Sequence, residues 1–255
     1  MLAVDSTALI DLDGPQAYLR LVLVVFALAA FAAALRYRAQ IGDGRSELTA
    51  VLRATLQLGV VGLIIAAVLE SWWLTAAFVA LMVGVAAWTS GSRMQATSRL
   101  WPLVPIALGA LPVTASLLLV GLLPLAPISV IPTAGILVGN AMTATTLAGR
   151  RCLERLDERH GQYQAALALG LLPRDSALLI TRNAARLALV PGLDQTRTVG
   201  LVTLPGAFVG TLLGGASPLE AAALQLVVLA GILASQSIAA TVTLELVVTA
   251  RLRRR

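Results

Sequence analysis

Long apolar stretches alternate with short polar segments along most of this chain. A stretch of about 20 apolar residues is long enough to cross the hydrocarbon core of a bilayer as an α-helix. Seven stretches meet this description, at about 17–36, 50–69, 72–90, 102–123, 127–148, 198–215 and 221–248. The pattern therefore predicts an all-α integral membrane protein with about seven transmembrane helices.

The predicted connections between these spans differ greatly in length. Three are very short and pair consecutive spans as hairpins: Glu70-Ser71, Leu123-Pro124-Leu125 and Ala216-Ser217-Pro218. The connection between the fifth and sixth spans is much longer, at about 149–197. Because a long segment among minimal loops is often functional, we expect this one to have a role of its own.

The first part of this long connection has the pattern of an amphipathic helix. Apolar and aromatic residues recur at steps of three and four through Leu153, Leu156, His160, Tyr163 and Leu167. Acidic residues occupy the opposite side of the predicted helix. We expect this helix to continue the fifth span beyond the membrane.

A break follows, and then a second helix. Gly170 is a natural helix stop, Pro173 is a natural first residue of the next helix, and Asp175 favours its amino end. The second helix is expected to end before Pro191. The turn between the two helices carries the apolar residues Leu169, Leu171 and Leu172. Such a patch in water indicates a partner interface, or a turn that folds back onto the chain's own spans or the membrane surface.

The composition agrees with a membrane protein. The chain is 58% hydrophobic and only 13% charged, whereas soluble domains carry about 25% charged residues. The net charge of +6 comes from arginines that lie between apolar runs and are not interleaved with aromatic residues, so nucleic acid is not the expected partner. With the amino terminus outside, eighteen of the nineteen arginines fall inside and only Arg20 does not. This distribution predicts an N-out, C-in orientation.

Several function classes are excluded by residue types that are scarce or absent. A Walker A loop needs a lysine, and this chain has none, so it is not itself a P-loop ATPase. The single cysteine, Cys152, excludes an internal disulfide, and the single histidine, His160, argues against the usual zinc sites. The acidic residues Asp5, Asp11 and Asp13 precede the first span where a signal peptide would be basic, so we interpret that span as retained.

Two sets of residues are candidates for helix packing and for shaping the spans. The small residues that allow close helix approach are Gly135, Gly139, Gly206, Gly210 and Gly214. They could pack within one chain, between two copies, or along a helix that slides. Pro132 and Pro205 each lie early in a span and could kink or break it, as at a transport site, or be ordinary membrane prolines.

Polar residues inside the spans are candidates for a translocation path. These are Asn140, Met142, Gln57, Gln225 and Glu245, with Gln236 as a further amide. A buried amide must be bonded, so Asn140 either makes an interhelical hydrogen bond or lines a path. Glu245 is interpreted as the partner of an arginine in the long connection or the tail, or as part of a cation path. No metal-ligand set is apparent, and the metal-binding residues are unknown.

Charged residues in and beyond the long connection have two kinds of interpretation. Asp194 and Arg197 are three residues apart and predict a local salt bridge. Arg174, Arg182 and Arg186 could face an acidic protein partner or anionic lipid headgroups.

The stretch QAALALG, from Gln164 to Gly170, resembles the EAA---G loop with which ABC-transporter permeases dock on their cytoplasmic ATPase. Gln164 stands where the importer pattern has Glu, and Pro191 lies further downstream than in importers. A closer resemblance is to the iron-export permeases of ABC transporters (Fet-type permeases), to which plant aluminium-tolerance permeases are related. It rests on three ordered blocks: VIPTAGILVGNAM (130–142), ALGLLPRDSALLITRNAARLALVP (168–191) and LDQTRTVGLVTLPGAFVGTLLGGASPLEAAALQLVV (193–228).

This resemblance implies a single transmembrane permease domain over residues 1–255 in the cell (plasma or inner) membrane. Two copies would form the pathway, and two cytoplasmic ATPase subunits would bind ATP and magnesium, so this chain would need no cofactor and would not be an enzyme. The implied cargo is iron or another metal or metal complex. The implied ATPase-coupling residues are Gln164, Ala165, Ala166, Leu169, Gly170, Leu171, Leu172, Pro173, Arg174 and Asp175.

Alternative functions remain open at the level of the sequence. An ABC permease could carry a sugar nucleotide or another small solute. An ATP-independent secondary carrier would show buried charge pairs and inverted halves, and neither is visible. An intramembrane enzyme would need an acid–base or nucleophile pair, and the spans show none.

Overall fold

The computed structural model describes residues 14–254, a range that holds ten α-helices. The acidic residues Asp5, Asp11 and Asp13, as well as Arg255, lie outside the described residues. The helices are α1 (Pro15–Arg38), α2 (Arg45–Glu70), α3 (Trp72–Arg93), α4 (Leu103–Leu119), α5 (Pro127–Glu158), α6 (His160–Ala168), α7 (Pro173–Leu187), α8 (Val190–Thr198), α9 (Gly206–Leu213) and α10 (Pro218–Val248). The prediction of an all-helical membrane protein is confirmed.

The chain forms two compact units. The first unit ends at Ala67, and the second begins at Val68. Five helices, α1, α2, α3, α5 and α10, are long and apolar enough to cross a membrane. They correspond to five of the seven predicted spans. The fourth predicted span is the shorter apolar helix α4, whose 17 residues measure about 26 Å at 1.5 Å per residue.

The sixth predicted span, 198–215, is not a continuous helix, and that prediction is wrong. Helix α8 ends at Thr198, and the eight-residue α9 begins only at Gly206. Between them Gly200 takes a left-handed φ of +87°, and Pro205 is extended ahead of α9. A left-handed glycine and an extended proline both interrupt a helix, whatever the hydrophobicity of their neighbours. Pro132, in contrast, lies inside the unbroken helix α5.

Helices α5 and α10 lie side by side at the centre of the second unit. Their buried apolar residues, such as Leu137 and Ala239, form one core with residues of α3 and α4. The Ser235 hydroxyl donates to the Leu137 carbonyl across the pair, at 3.2 Å. Helix α4 approaches α10 so closely that a Cβ on Gly109 would lie 2.7 Å from the Ser235 carbonyl oxygen. Glycine is therefore required at this crossing.

The long connection between α5 and α8 is helical almost throughout. Helix α5 continues to Glu158, and α6 follows after a break at Arg159. The turn after α6 contains Gly170 with φ of +89°, and Pro173 is the first residue of α7. These are the predicted stop and start positions. Helix α7 buries one side, including Ile180 and Ala184, and its contacts are with α5, α6 and α10.

The chain after α10 folds back onto the segment between α3 and α4. The Thr97 amide donates to the Arg253 carbonyl at 2.9 Å. Leu252 is only 1% exposed and packs in a cluster with Met94, Cys152 and Leu246. The tail is therefore fixed where Arg93, Arg150 and Arg254 come together, and we call this region the arginine-rich side.

The predicted orientation can be tested by single-cysteine labelling. Cys152 is fully buried and its thiol donates to the Thr181 carbonyl at 3.6 Å, so the natural protein should give no background with maleimides. Val120→Cys, at an exposed position just beyond α4, should react with an impermeant maleimide added to spheroplasts. Leu169→Cys should react only after permeabilisation. The opposite labelling pattern would show that the orientation is inverted.

Candidate functional site

The turn between α6 and α7 exposes three leucines to solvent. Leu169 is 82% exposed, Leu172 68% and Leu171 38%. The turn is held by backbone hydrogen bonds from the Gly170 amide to the Leu167 carbonyl at 2.9 Å and from the Leu171 amide to the Ala166 carbonyl at 3.1 Å. This pattern is a helix-ending motif that uses a left-handed glycine. We call Leu169–Leu172 the leucine elbow.

All of the predicted coupling residues lie on the continuous segment from α6 through the leucine elbow into α7. Ala166 is buried, and the others are exposed. A side-chain nitrogen of Gln164 lies 3.2 Å from a ring nitrogen of His160. The structure thus brings the predicted set together as one surface, with Ala166 as its inward anchor.

A groove of about 330 Å³ lies beside the leucine elbow along α7. Its lining combines leucines with charged and amide groups: Leu171, Asp175, Leu178, Leu179, Arg182 and Asn183. Leu178, Leu179 and Asn183 were missed by the sequence reasoning, although the helical spacing of α7 places Asp175, Leu178 and Arg182 at steps of three and four.

An ion pair fixes the beginning of α7 to the end of α10. The Arg174 guanidinium donates to both carboxylate oxygens of Glu245, at 2.6 and 3.2 Å. The hydrogen bond and the negative charge of Glu245 raise the pKa of Arg174. Glu245 therefore pairs with an arginine of the long connection, one of the two partners expected for it. Because both side chains are exposed, the pair adds little to the stability of the fold, and its main effect is to orient the first turn of α7 relative to α10.

A second arrangement joins three helices inside the molecule. Gln236 of α10 donates through Nε2 to Oδ1 of Asn140 on α5, at 2.9 Å, and Asn140 donates through Nδ2 to the Ile136 carbonyl, at 2.9 Å. Gly192 of α8 lies against the Gln236 amide, where a Cβ would collide with Oε1. We call Asn140, Gln236 and Gly192 the polar junction. Asn140 is thus bonded between helices, and its place in a path stays a prediction.

Gln225, Met142 and Gln57 are the remaining candidates for a path. Gln225 is buried on α10, eleven residues before Gln236, which is about 17 Å along the helix. Met142 packs against the core of α5 and α10, and Gln57 is exposed on α2 in the other unit. The Oε1 atoms of Gln225 and Gln236 have no hydrogen-bond partner among residues 14–254. Gly192 was not a candidate, because nothing in its sequence context distinguishes it from other glycines.

The glycine set divides by its surroundings. A Cβ on Gly135 would lie 3.0 Å from Met82 Cε of α3, and one on Gly214 would meet only carbonyls of its own segment at 3.4 Å. A Cβ on Gly139, Gly206 or Gly210 would meet no atom of the described chain within 4 Å other than the backbone of its own helix. Packing between two copies or along a sliding helix therefore stays a prediction for these three positions. Asp194 and Arg197 form the predicted local pair, at 3.5 Å.

No group of three or more His, Cys, Asp or Glu side chains able to hold a metal ion occurs within residues 14–254.

The sequence is similar to a family of membrane proteins and to two plant proteins. The family model described as "Uncharacterised protein family (UPF0014)" matches residues 19–251. The rice "UPF0014 membrane protein STAR2" is 38% identical over 80% of this chain and 73% of its own length. The Arabidopsis "Protein ALUMINUM SENSITIVE 3" is 39% identical over 70% of this chain and 67% of its own length.

A bacterial relative covers still more of the chain. The Escherichia coli "Probable iron export permease protein FetB" is 31% identical over 86% of this chain and 85% of its own length. No solved structure matches the chain.

Proposed function

Because the chain belongs to the UPF0014 family of multi-pass membrane proteins, we propose that it is the permease subunit of an ABC transporter. In this proposal a separate cytoplasmic ATPase drives the cycle, and the cargo is iron or another metal or metal complex moved out of the cell. The cargo and direction rest on similarity to the Escherichia coli protein, whose name gives it as a probable iron export permease. The main observation in favour of a subunit that is driven by an ATPase is the exposed leucine elbow.

The leucine elbow has the character of a docking surface. Three leucines in water are unfavourable unless a partner covers them, and they lie on a turn that is rigidly mounted rather than on a loose loop. The adjoining groove adds Asp175 and Arg182 at its edge, which supplies charged groups around an apolar centre. This combination suits a cleft in a cytoplasmic ATPase that receives the turn between two helices.

The leucine elbow is connected to the membrane part by packing and by charge. Helix α7 packs on α5 and α10, and the Arg174–Glu245 pair ties its first turn to the end of α10. The same two helices, α5 and α10, carry the Asn140–Gln236 bond further along their length. A displacement of the leucine elbow by the ATPase would thus reach the polar junction through continuous helices.

Two copies of the chain would complete the pathway. The segment 199–205 between α8 and α9 is irregular, and its residue Leu201 is 96% exposed. In a membrane, irregular backbone is tolerated only against protein or a water-filled cavity. Gly206 and Gly210, at the start of α9, leave room for the close approach of another helix. A second permease copy would supply the protein that covers this region.

The polar junction is the proposed position of the path inside the membrane. It offers amide groups from Asn140 and Gln236, and α8, which approaches it through Gly192, also carries the Asp194–Arg197 pair. Amide groups bind by hydrogen bonding and are weak ligands for transition metals compared with thiolate or imidazole. A metal complex that presents hydrogen-bonding groups is therefore the favoured form of the cargo.

Purification of the native complex from membranes tests the proposal. We expect the chain to co-purify with a P-loop ATPase, two copies of each subunit, and we expect metals or metal chelates to stimulate ATP hydrolysis in proteoliposomes. The ATPase without the permease and the permease without the ATPase are the controls. Gradient-driven transport by the permease alone would instead identify a secondary carrier, and stimulation only by sugar nucleotides would replace the metal cargo.

A further inference from the structure

A small polar cleft lies on the arginine-rich side, away from the leucine elbow and the polar junction. It has a volume of about 160 Å³ and forms where the end of α3, the last third of α5 and the folded-back tail meet. Its polar lining consists of Arg93, Gln95, Arg150, Glu154 and Arg254. We call it the arginine cleft. It plays no part in the proposed coupling.

The three guanidinium groups are held in different ways. Arg254 donates through Nε and Nη2 to the Gln95 side-chain oxygen, at 3.0 and 2.7 Å. Arg150 donates through Nε to Glu154, at 2.8 Å. Arg93 has neither a hydrogen bond nor a salt bridge from its side chain within residues 14–254. The tail that carries Arg254 is fixed by the buried Leu252, so this arginine is positioned before any ligand arrives.

The charge balance of the arginine cleft favours an anion. Glu154 is the only carboxylate in the lining, and Asp157 approaches Arg254 only to 3.8 Å. Three arginines against these two carboxylates leave an excess of positive charge around a space that holds several water molecules. Planar guanidinium groups present paired N–H donors that match the oxygens of a phosphate.

The neighbourhood of the arginine cleft has the character of a membrane interface. Arg99 lies over the Trp88 ring at 4.6 Å, and Arg251 lies over the Trp101 ring at 5.8 Å. Tryptophan and arginine are enriched where a helix leaves the hydrocarbon core and meets the headgroups. Arg93, which lines the arginine cleft, is the last residue of α3, and Trp88 lies on the last part of the same helix.

We propose that the arginine cleft binds a phosphate group, presented either by an anionic phospholipid headgroup or by soluble phosphate. Arg93 supplies the uncommitted charge, Arg254 is the preorganised second donor, and Glu154 competes with the ligand for Arg150. The position at the interface favours the lipid, with its phosphate between the arginines and its acyl chains toward the bilayer.

Native mass spectrometry of the purified full chain tests this site with phosphatidylglycerol and phosphatidylcholine as probes. We expect preferential binding of phosphatidylglycerol, weakened about fivefold by Arg93→Gln, since one interfacial arginine contributes about that factor. Glu154→Gln should strengthen binding, because it releases Arg150. Arg159→Gln is the matched control, because the Arg159 side chain lies beyond the end of α5 and, among residues 14–254, hydrogen-bonds only to Gln162, so this variant should leave binding unchanged.

Inorganic phosphate distinguishes the two sources of the ligand. If it displaces phosphatidylglycerol and raises the Tm of the wild type but not of Arg93→Gln, the arginine cleft accepts free phosphate. If it does neither while phosphatidylglycerol binds selectively, the ligand is a lipid headgroup. The proposal is overturned if neither phosphatidylglycerol nor inorganic phosphate binds selectively. It is also overturned if Arg93→Gln binds phosphatidylglycerol as tightly as Arg159→Gln does, or if Glu154→Gln weakens that binding. Because the Arg93 side chain is exposed and makes no polar contact in the described part of the chain, Arg93→Gln should keep the fold and the Tm of the wild type without ligand, so weaker binding by this variant reports on the arginine cleft.

Discussion

Aspartate in place of Leu169 or Leu172 is expected to abolish ATP hydrolysis coupled to transport without preventing folding or membrane insertion. Both side chains are largely exposed, so the fold loses little packing when they change. In the docked complex, however, a carboxylate at either position would have to leave water for an apolar cleft. An unpaired carboxylate buried at an interface costs about 2 kcal/mol or more, so ATPase affinity should fall at least about 30-fold.

The measurement is ATP hydrolysis in proteoliposomes that contain both subunits, together with the amount of ATPase retained on the immobilised permease. Leu169→Met and Leu172→Met are the matched controls, because they keep an apolar side chain of similar volume and should retain coupling. Leu171 is less suitable, since it is partly covered and lines the neighbouring groove. Normal hydrolysis and retention in both aspartate variants would show that the leucine elbow is not the docking surface.

Replacing Gly192 by alanine is expected to destabilise the protein by about 1–3 kcal/mol, the usual cost of overpacking a buried site. The added Cβ would collide with Oε1 of Gln236, and the Gln236 side chain is held in place by its bond to Asn140. Gly84→Ala, on α3, is the control, since a Cβ there would meet no atom of the described chain within 4 Å other than its own helix backbone. That variant should be neutral or slightly stabilising, because alanine favours the helix.

A second substitution should rescue the first. Gln236→Ala removes the atom that the new Cβ would strike, so Gly192→Ala with Gln236→Ala should unfold at a higher temperature than Gly192→Ala alone. The loss of the Asn140–Gln236 bond costs on average only about 0.6 kcal/mol in a membrane. Thermal unfolding in detergent is measured for the wild type, Gly192→Ala, Gln236→Ala and the double variant. Additive losses in the double variant would mean that Gly192 and Gln236 are not in contact.

The spans that were predicted well are those whose helices are uninterrupted. Hydrophobicity reports which residues avoid water, and in α1, α2, α3, α5 and α10 the backbone is helical along the same residues. The region 198–215 is equally apolar, but Gly200 adopts a left-handed φ and Pro205 an extended conformation, so the helix is broken. Pro132 and Pro205 each lie early in a predicted span. The structure shows that Pro132 is accommodated inside α5, whereas Pro205 is the last residue of the irregular segment before α9.

The parts of the candidate site that follow from local backbone preferences could be predicted from the sequence. The parts that depend on contacts between residues far apart in the sequence could not. Gly170 and Pro173 carry the local conformational preferences that form the leucine elbow, so their roles follow from sequence. The bond between Asn140 and Gln236 joins residues 96 positions apart. The pairing of Glu245 with Arg174 was one choice among many arginines, and no local pattern could select it.

The unbroken length of α5 has a mechanical consequence. Eighteen residues separate Asn140 from Glu158, and thirteen separate it from Pro127, which gives two arms of about 27 and 20 Å. If the Asn140–Gln236 bond serves as a fulcrum, a tilt of about 5° moves the arginine-rich end by about 2 Å and the opposite end by somewhat less. The longer arm is the one that leads to the leucine elbow, so a modest push at the arginine-rich end would be transmitted to the opposite end with reduced travel and increased force.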